Sequence, residues 1–348
     1  MIGKYTGFIN ENCAPLGVTS ISIYDAKDEK KASMGVPFFM RYPTGQKLYS
    51  FGLLSDLHID GVNSLPSDKL DNALSFFEEE GASFCAHAGD MTNVGFWRNG
   101  TDTQIYTVQF AEYKRICDMH PKLPVYGVCG NHESYNNPIT QNLAELETYT
   151  GKGLYYSINH GNDVFVFIGQ PASTTPMSEE ALQWLYDTLE ENRNKRCFVF
   201  VHSFLGGDSG NALDVYENKL FDWWRHTGVF KALLCHYKNT VLFHGHSHLI
   251  YNHQEQEKDA NYTAKNGFKS VHVSSVCTPC EITDGKRVVS SAYTSLGYLA
   301  DVFEDTVVLR GRDFNKGEWI PIATYKLDTP LQSIDAHTFT DKSGTIIT

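Results

Sequence analysis

Residues 49–58 read YSFGLLSDLH, a short apolar run that ends in aspartate and histidine. The run has the length of a buried β-strand, and the polar residues after it interrupt the apolar pattern. Other apolar runs end in the same way, in the polar groups GD at 89–90, GNHE at 130–133, VHS at 201–203 and HGHSH at 244–248. Stretches of helical period lie between them, most clearly at 178–193 and also at 67–80 and 104–119. This alternation predicts a layered α/β domain.

The polar groups predict a metal site. In open α/β sheets, ligands bind at the carboxyl ends of strands, so groups far apart in sequence can meet there. Asp56 and His58 are two residues apart, as are His246 and His248, and on an extended chain each pair points to one side. Either pair alone would more often be a hydrogen-bonded polar pair at a strand end. Their joint occurrence favours metal, because buried polar groups need partners.

The types of side chain in these polar groups indicate which metal ions could bind. Carboxylate, imidazole and amide groups without a thiolate favour manganese, iron or zinc. The five polar groups together supply at least seven side chains of these types, which is more than one tetrahedral ion needs. Two ions that share Asp90 would use all of them.

In their order along the chain, SDLH, GD, GNHE, VHS and GHSH resemble the signature of the calcineurin-like metallophosphoesterases, over roughly residues 49–280. The resemblance implies a four-layer α/β/β/α sandwich of two mixed sheets flanked by helices. It also implies two ions, with Asp56, His58 and His248 on one, Asn131, His202 and His246 on the other, and Asp90 on both. His132 corresponds to the family's catalytic histidine, and Glu133 takes the place of an acidic residue that could orient it.

The expected reaction is hydrolysis of a phosphate ester, with a small or nucleotide-like phosphodiester as the favoured substrate. Two ions ~3.5 to 4 Å apart bridge a hydroxide for in-line attack and clamp the charge on the phosphoryl oxygens. His132 beside them is suited to protonate the leaving alkoxide. Asn93 stands where purple acid phosphatases have a tyrosine, which argues against a purple site. Residues 178–203 are most similar to the branch that contains class III cyclic-nucleotide phosphodiesterases.

Charge and composition indicate which partners and which cellular location to expect. With 29 basic and 41 acidic residues the net charge is −12, and no cluster of Lys and Arg could follow a nucleic-acid backbone. We therefore expect no duplex nucleic acid as partner. No run approaches the ~18 apolar residues of a membrane helix, so no membrane is expected either. The first residues have neither the apolar core nor the cleavage site of a secretory signal, which predicts a cytoplasmic protein.

The eight cysteines lie mostly in apolar runs, where free cysteine behaves as a small hydrophobic residue, so reduced thiols are expected. Cys277 and Cys280 form the sequence CTPC, which could be half of a zinc site. A zinc site needs two more ligands at suitable spacing, and no second pair of this kind is present. We therefore predict a turn at a strand end with two idle thiols.

Three segments are expected along the chain. Residues 1–48, with possible strands at 20–26 and 37–42, form a small β-rich extension. Residues 49–330 form the phosphoesterase domain, which ends in a β-hairpin after residue 290. Residues 331–348 are a C-terminal tail.

Two other functions are compatible with the same fold. One is a nuclease acting on single-stranded nucleic acid, which the acidic net charge disfavours. The other is a non-catalytic metal-binding scaffold, of the kind that arises when ligands or the catalytic histidine are lost. All seven expected ligands and His132 are present here, so an enzyme is favoured over a scaffold. The pattern does not predict an oligomeric state.

Overall fold

The computed structural model describes residues 13–24, 30–41, 43, 45–93, 103–134, 139–171, 177–203, 227–251, 262–264, 267–284 and 286–335. Its helices are α1 Leu65–Glu79, α2 Thr103–Met119, α3 Ile139–Thr150, α4 Glu179–Glu191 and α5 Thr227–His236. Its strands are β1 Cys13–Tyr24, β2 Lys30–Arg41, β3 Tyr49–Leu54, β4 Cys85–His87, β5 Val125–Gly127, β6 Tyr155–His160, β7 Asp163–Ile168, β8 Cys197–Phe200, β9 Thr240–His244, β10 Tyr262–Thr263, β11 Lys269–His272, β12 Cys280–Thr283, β13 Lys286–Val289, β14 Leu296–Val302, β15 Thr306–Asp313 and β16 Glu318–Asp328.

Two mixed sheets of six strands form the centre of the fold. One has the order β16-β15-β14-β3-β4-β5 and the other the order β10-β11-β9-β8-β7-β6. In the first sheet β3, β4 and β5 are parallel, while β14, β15 and β16 are antiparallel additions. In the second sheet β7, β8, β9 and β11 are parallel, and β6 and β10 are antiparallel edges.

Side chains of the inner strands alternate between two apolar layers. On β7, Phe165 and Phe167 lie in the core between the sheets, where Phe165 meets Phe51 of β3 edge-on at 5.1 Å between ring centroids. Val164 and Val166 face the opposite way and pack against α4 and α5. Helices α1 and α2 cover the outer face of the other sheet. Strands buried on both faces read as continuous apolar runs. The predicted α/β sandwich of two mixed sheets flanked by helices is confirmed.

The predicted helices are present, with one corrected start. Ser178 caps α4, and its Oγ accepts a hydrogen bond from the Ala181 N–H at 3.1 Å. The stretch predicted as helical starts at Ser67, but helix α1 begins two residues earlier, at Leu65, with Ser64 at the N-cap and Pro66 in the first turn. Proline lacks an N–H and has a φ suited to a helix, so it fits this first turn and Ser67 falls inside the helix.

The hairpin predicted after residue 290 is confirmed as β14 and β15, but a third strand, β16, was not predicted. Pro321 lies within β16, and proline inside an apolar run argues against a strand. The strand tolerates it because the pairing with β15 shifts there, from Arg310↔Thr324 to Gly311↔Ile320. β16 is also an edge strand, where a missing N–H is tolerated.

Near the amino end of the described chain, β1 and β2 pair antiparallel as a two-stranded sheet. The two strands predicted within residues 1–48 overlap these elements, while the domain boundaries at 48/49 and 330/331 stay predictions. Most of the predicted tail, residues 336–348, lies outside the described residues. None of the helices in the described part of the chain has both the length and the apolar character needed to cross a bilayer.

Candidate metal centre

Every predicted ligand lies shortly after a strand. The ligands are Asp56 and His58 after β3, Asp90 after β4, Asn131 after β5, His202 after β8, and His246 and His248 after β9. Since β3, β4 and β5 are parallel, as are β8 and β9, these strands end at one edge of each sheet. The structure brings the six charged or imidazole ligands and His132 together at this edge. Asn131 lies between Gly130 and His132, which both approach Asp90.

The backbone is strained at the predicted ligands. Six non-glycine residues in the described part of the chain have a positive φ between 52° and 74°. Five of them are predicted ligands: Asp56, His58, Asp90, His246 and His248. This left-handed conformation costs an L-residue about 1 kcal/mol or more. Its concentration at one place indicates that tertiary contacts hold these side chains for a function.

Two glycines let the ligand loops approach one another closely. A side chain at Gly130 would overlap Asp90 Oδ1, and a side chain at Gly245 would overlap Ser55 Oγ and come within 2.6 Å of Asp56 Oδ2. Any larger residue would push the two carboxylates away from the histidines. This explains why glycine precedes the ligands in GNHE and GHSH.

One group of predicted ligands consists of Asp56, His58 and His248. His248 Nε2 lies 3.1 Å from Asp56 Oδ1 and 3.0 Å from His58 Nε2. Backbone N–H of His246 donates to both carboxylate oxygens of Asp56, at 3.2 and 3.0 Å. One potential ligand atom from each member of the group lies within 4.8 Å of the others, which is close enough to share one metal ion.

A second group consists of Asp90, His202 and His246. His202 Nε2 lies 3.1 Å from both Asp90 Oδ2 and His246 Nδ1. Asn131, placed beside this group by its neighbours in sequence, has a buried Oδ1 with no hydrogen-bond partner among the described residues. An orphaned amide oxygen and facing imidazole nitrogens are the donors that a hard or borderline cation uses. The residues present therefore fit a centre with two metal ions.

Hydrogen-bond acceptors outside the two ligand groups orient the histidine rings so that one nitrogen of each faces the centre. His202 Nδ1 donates to the Ala88 carbonyl at 2.8 Å, and His248 Nδ1 donates to the carbonyl and hydroxyl of Thr278 at 3.1 and 3.0 Å. Because Nδ1 carries the proton in both rings, Nε2 presents its lone pair to the centre in the neutral form. Such second partners orient the ligand and raise its basicity.

Two buried carboxylates dominate the electrostatics. Burial lowers the pKa of His202 and His248, but Asp90 and Asp56 raise it by more, to about 9 in each case. Burial opposes ionisation of Asp56 and Asp90, yet the histidines hold both carboxyl pKa values below the usual range. Burial and His202 lower the pKa of His246 to about 3, so this ring is neutral. A metal that binds the centre would therefore release protons from imidazoles.

Glu133 connects the loops that carry the ligands. Its carboxylate accepts hydrogen bonds from Asp90 N at 3.1 Å, Thr92 N at 2.7 Å, Thr92 Oγ1 at 3.0 Å and Gly130 N at 2.7 Å. Burial, with the charge of Asp90, raises its pKa to about 7. The predicted role was to orient His132. These contacts act on the backbone around it, and His132 N in turn donates to Asp90 Oδ1 at 2.9 Å.

His132 lies at the rim of the centre. Its side chain is 15% exposed, and its Nε2 is 3.9 Å from Asp90 Oδ2. Its ring meets the ring of His58 edge-on, 4.4 Å between centroids. Burial lowers its pKa below the usual value. Its nitrogen is also close enough to share a cation with His58 and Asp90, so its role as a proton donor stays a prediction.

Ser275 and Thr278 were not predicted as part of the centre. Ser275 Oγ donates to the Asp56 carbonyl at 2.7 Å, and Thr278 holds the Nδ1 of His248. Cys277 and Cys280 carry free thiols, as expected, but the turn that contains them contacts ligands through Thr278. A signal was present in the sequence: residues 268–273 read FKSVHV, a strand-like stretch, and polar residues follow it. The strand that forms there, β11, pairs parallel with β9, so those polar residues also fall at this edge.

Comparison with known proteins agrees with this geometry. Residues 49–249, more than half of the chain, match the family model for calcineurin-like phosphoesterase. The fold is similar to that of a dimetal phosphatase from Danio rerio, with a TM-score of 0.57 and 16% identity over 82% of this chain and 100% of that chain. It is also similar to purple acid phosphatase PPD1 from yellow lupin (Lupinus luteus) seeds, with a TM-score of 0.53 and 15% identity over 85% of this chain and 57% of that chain. No curated protein sequence matches significantly.

Proposed function

Because the chain belongs to the calcineurin-like phosphoesterase family and is a metal-dependent phosphoesterase, we propose that it hydrolyses small or nucleotide-like phosphodiesters. The observation that carries the proposal is the pair of ligand groups at one edge of the two sheets, with His132 at their rim.

Asp90 is proposed to bind both ions. In support, its Oδ2 lies 3.1 Å from His202 Nε2 in the second group and 3.9 Å from His58 Nε2 in the first. Asp56, His58 and His248 would complete the shell of one ion, and Asn131, His202 and His246 that of the other. Bound metals supply the nucleophile and neutralise charge on the phosphoryl oxygens. Nitrogen and oxygen donors without sulfur favour manganese, iron or zinc.

His132 is proposed to give a proton to the leaving oxygen of the ester. Its partial exposure lets a substrate reach the ring, and its backbone hydrogen bond to Asp90 keeps the ring beside the centre. Alkoxides, including those of nucleosides, are strongly basic and therefore poor leaving groups, so a proton donated by an imidazolium as the bond breaks lowers the barrier. The proton returns to His132 from water after the product alcohol departs.

The charges near the centre bear on the choice between a diester and a monoester. In the part of the chain that the structure describes, the ion pairs of Asp56 and Asp90 involve histidine only. A phosphomonoester dianion carries one negative charge more than a diester and gains more from a fixed guanidinium or ammonium group. A guanidinium does lie beside the centre, because Arg287 donates to the Ser247 carbonyl at 3.4 Å. The preference for a diester is therefore proposed on the similarity of residues 178–203 to the branch that contains class III cyclic-nucleotide phosphodiesterases.

Two esters with the same leaving group test this proposal. Methyl p-nitrophenyl phosphate and p-nitrophenyl phosphate both release nitrophenolate, so a difference in kcat/KM reports the charge and shape of the phosphoryl group. Stripped protein reloaded with Mn²⁺, Fe²⁺ or Zn²⁺ should prefer the methyl diester. Preference for the monoester would overturn the substrate class while leaving the phosphoesterase assignment intact.

Cyclic nucleotides and single-stranded oligonucleotides complete the same panel. Faster cleavage of oligonucleotides than of cyclic nucleotides would favour the nuclease. A metal-loaded sample inert towards every ester would favour a scaffold. The net charge of −12 supports a small ester over duplex nucleic acid.

A cytoplasmic location is also proposed. It is supported by the cysteines: the seven whose side chains the structure describes are free thiols, five of them buried. Disulfides persist in oxidising compartments and are rare where thiols stay reduced.

A further inference from the structure

Residues 275–280, which we call the 275–280 loop, lie in the connection from β11 to the first residue of β12 and against one ligand group of the proposed centre. The loop lies beyond residues 49–249, the part of the chain that matches the family. Val276 N donates to the Ser55 carbonyl at 2.9 Å, and Cys280 N donates to the His248 carbonyl at 2.7 Å. The loop is thereby tied at both ends to the backbone beside two ligands of the same ion.

Ser275 is the inner anchor of this loop. Its side chain is fully buried. Its Oγ donates to the Asp56 carbonyl at 2.7 Å and accepts from the N–H groups of Cys277 at 3.1 Å and Thr278 at 2.8 Å. One hydroxyl therefore joins the backbone of a metal ligand to the turn that presents Thr278. Its removal would leave two amide donors and one carbonyl without this partner.

Thr278 is the second point of contact. Its carbonyl and hydroxyl both accept from His248 Nδ1, which leaves Nε2 directed at Asp56 Oδ1, 3.1 Å away. The neutral ring can ligate through Nε2 only if the proton stays on Nδ1, and Thr278 keeps it there.

Buried Lys69 of α1 holds the outer side of the loop. Its side chain is 6% exposed, and its ammonium donates to the Cys277 carbonyl and, at 2.6 Å, to the Thr294 carbonyl. A buried ammonium is costly unless carbonyl oxygens satisfy it, so the contact fixes the loop against the helix. The loop is thus held from the helix side as well as from the ligand side.

These contacts are one-sided. They reach Asp56 and His248, the ligands of one ion, while His202 of the other group is held by the Ala88 carbonyl. We propose that Ser275 and Thr278 are positioning residues for the ion bound by Asp56, His58 and His248, and that the 275–280 loop tunes its affinity independently of the second ion. The inference rests on the proposed two-metal centre.

Metal titration of full-length, metal-stripped protein tests the proposal. Co²⁺ would be the probe, with its visible absorption and the bound stoichiometry as readouts, neither of which depends on turnover. Ser275→Ala should weaken one of two sites by about 10- to 100-fold, as loss of outer-shell partners typically does, and leave the other within about 3-fold. Thr278→Val keeps the carbonyl acceptor, so its effect on the same site should be several-fold.

Ser290→Ala is the matched control. Ser290 Oγ accepts from the N–H groups two and three residues ahead, at 3.1 and 3.3 Å, as Ser275 Oγ does, but among the described residues it makes no such bond to a proposed ligand. This variant should leave both Co²⁺ sites unchanged. If Ser290→Ala weakened Co²⁺ binding as much as Ser275→Ala does, any broken turn would disturb the centre, and the proposal would be overturned.

Double variants identify the affected ion. In a His246→Ala background, Ser275→Ala should weaken Co²⁺ binding at the remaining site, the one formed by Asp56, His58 and His248. In a His248→Ala background, where that site is already impaired, Ser275→Ala should cause little further loss of Co²⁺ affinity. Equal weakening of both sites, or of neither, would contradict the inference. If Ser275→Ala fails to fold, Thr278→Val decides the question in the same backgrounds. Wild-type protein that binds two Co²⁺ and cleaves esters would keep the proposed function whatever the loop variants show.

Discussion

At the amino ends of the parallel strands, Arg196 donates to both oxygens of Asp163 at 3.1 and 2.6 Å, and to the Phe303 carbonyl and the Thr329 hydroxyl at 2.9 and 3.0 Å. Tyr49 adds its hydroxyl to Asp163. At the carboxyl ends of the parallel strands, the proposed metal ligands form a second cluster, which is also largely buried. There, imidazole nitrogens face one another and carboxylates at about 3 Å.

The two clusters differ in how their charges are satisfied. The Arg196 guanidinium meets the opposite charge of Asp163 and the neutral acceptors of Phe303 and Thr329, so the protein itself completes the hydrogen bonds of this pair. At the proposed centre, the amide oxygen of Asn131 is buried without a partner in the described structure, and five ligands hold a left-handed backbone. The first cluster stabilises the fold, and the second is arranged for a ligand at a cost in stability.

Asp90→Ala should have the largest effect. If Asp90 binds both ions, the variant should lose both, and kcat should fall by about 10⁴-fold. The reason is that several kcal/mol of transition-state stabilisation would be lost, and each loss of about 1.4 kcal/mol slows the reaction tenfold. Elemental analysis and turnover of purified protein provide the measurements. His248→Ala should lose chiefly one ion, so equal losses from the two variants would refute the sharing.

Arg196→Met should destabilise the fold without affecting metal content. Removing one partner of a buried ion pair leaves Asp163 uncompensated and typically costs about 3 to 5 kcal/mol. Urea unfolding of metal-stripped protein measures the loss. Arg193→Met is the control, because Arg193 pairs with Glu190 at 3.3 Å on the surface and such a pair contributes about 1 kcal/mol or less. Similar losses from both variants would mean that the buried pair is not the stabilising element.

His132→Ala should separate proton donation from metal binding. The variant should keep both ions, lose little activity against a nitrophenyl ester, and lose about 10²- to 10⁴-fold against an alkyl or nucleoside ester, whose leaving oxygen needs the proton. Equal losses on both esters with metals retained would indicate charge stabilisation instead. Loss of metal would make His132 a ligand beside His58 and Asp90.

The smallest effect is expected from replacing both Cys277 and Cys280 by serine. Cys280 Sγ lies 3.2 Å from the Thr278 carbonyl, a contact that a hydroxyl can keep, and in the part of the chain that the structure describes no second pair of ligands completes a zinc site with the two cysteines. Metal content and turnover should stay within about 3-fold of wild type, given that a single retained hydrogen bond shifts little free energy. A larger fall would show that the thiols themselves support the neighbouring ligand His248.

The fold was predictable where the signal was local. Apolar runs that end in Asp56 or His202 mark both a buried strand and its carboxyl end, and helix α4 shows its cap at Ser178. Strand β16 was missed because Pro321 argues against a strand, and only its edge position and shifted pairing make the proline tolerable. The start of α1 was misplaced because two serines near Pro66 could each serve as the cap.

The sequence alone specifies which side chains can bind metal and the strand ends that carry them, because a residue's chemistry and the local alternation of polar and apolar residues need no distant partner. Only the tertiary structure decides which groups meet. Ser275 Oγ reaches the Asp56 carbonyl across 219 residues of sequence, and Arg196 reaches Thr329 across 133. Such bonds follow from the order of strands within two sheets, and strand order depends on packing between distant segments rather than on any local pattern.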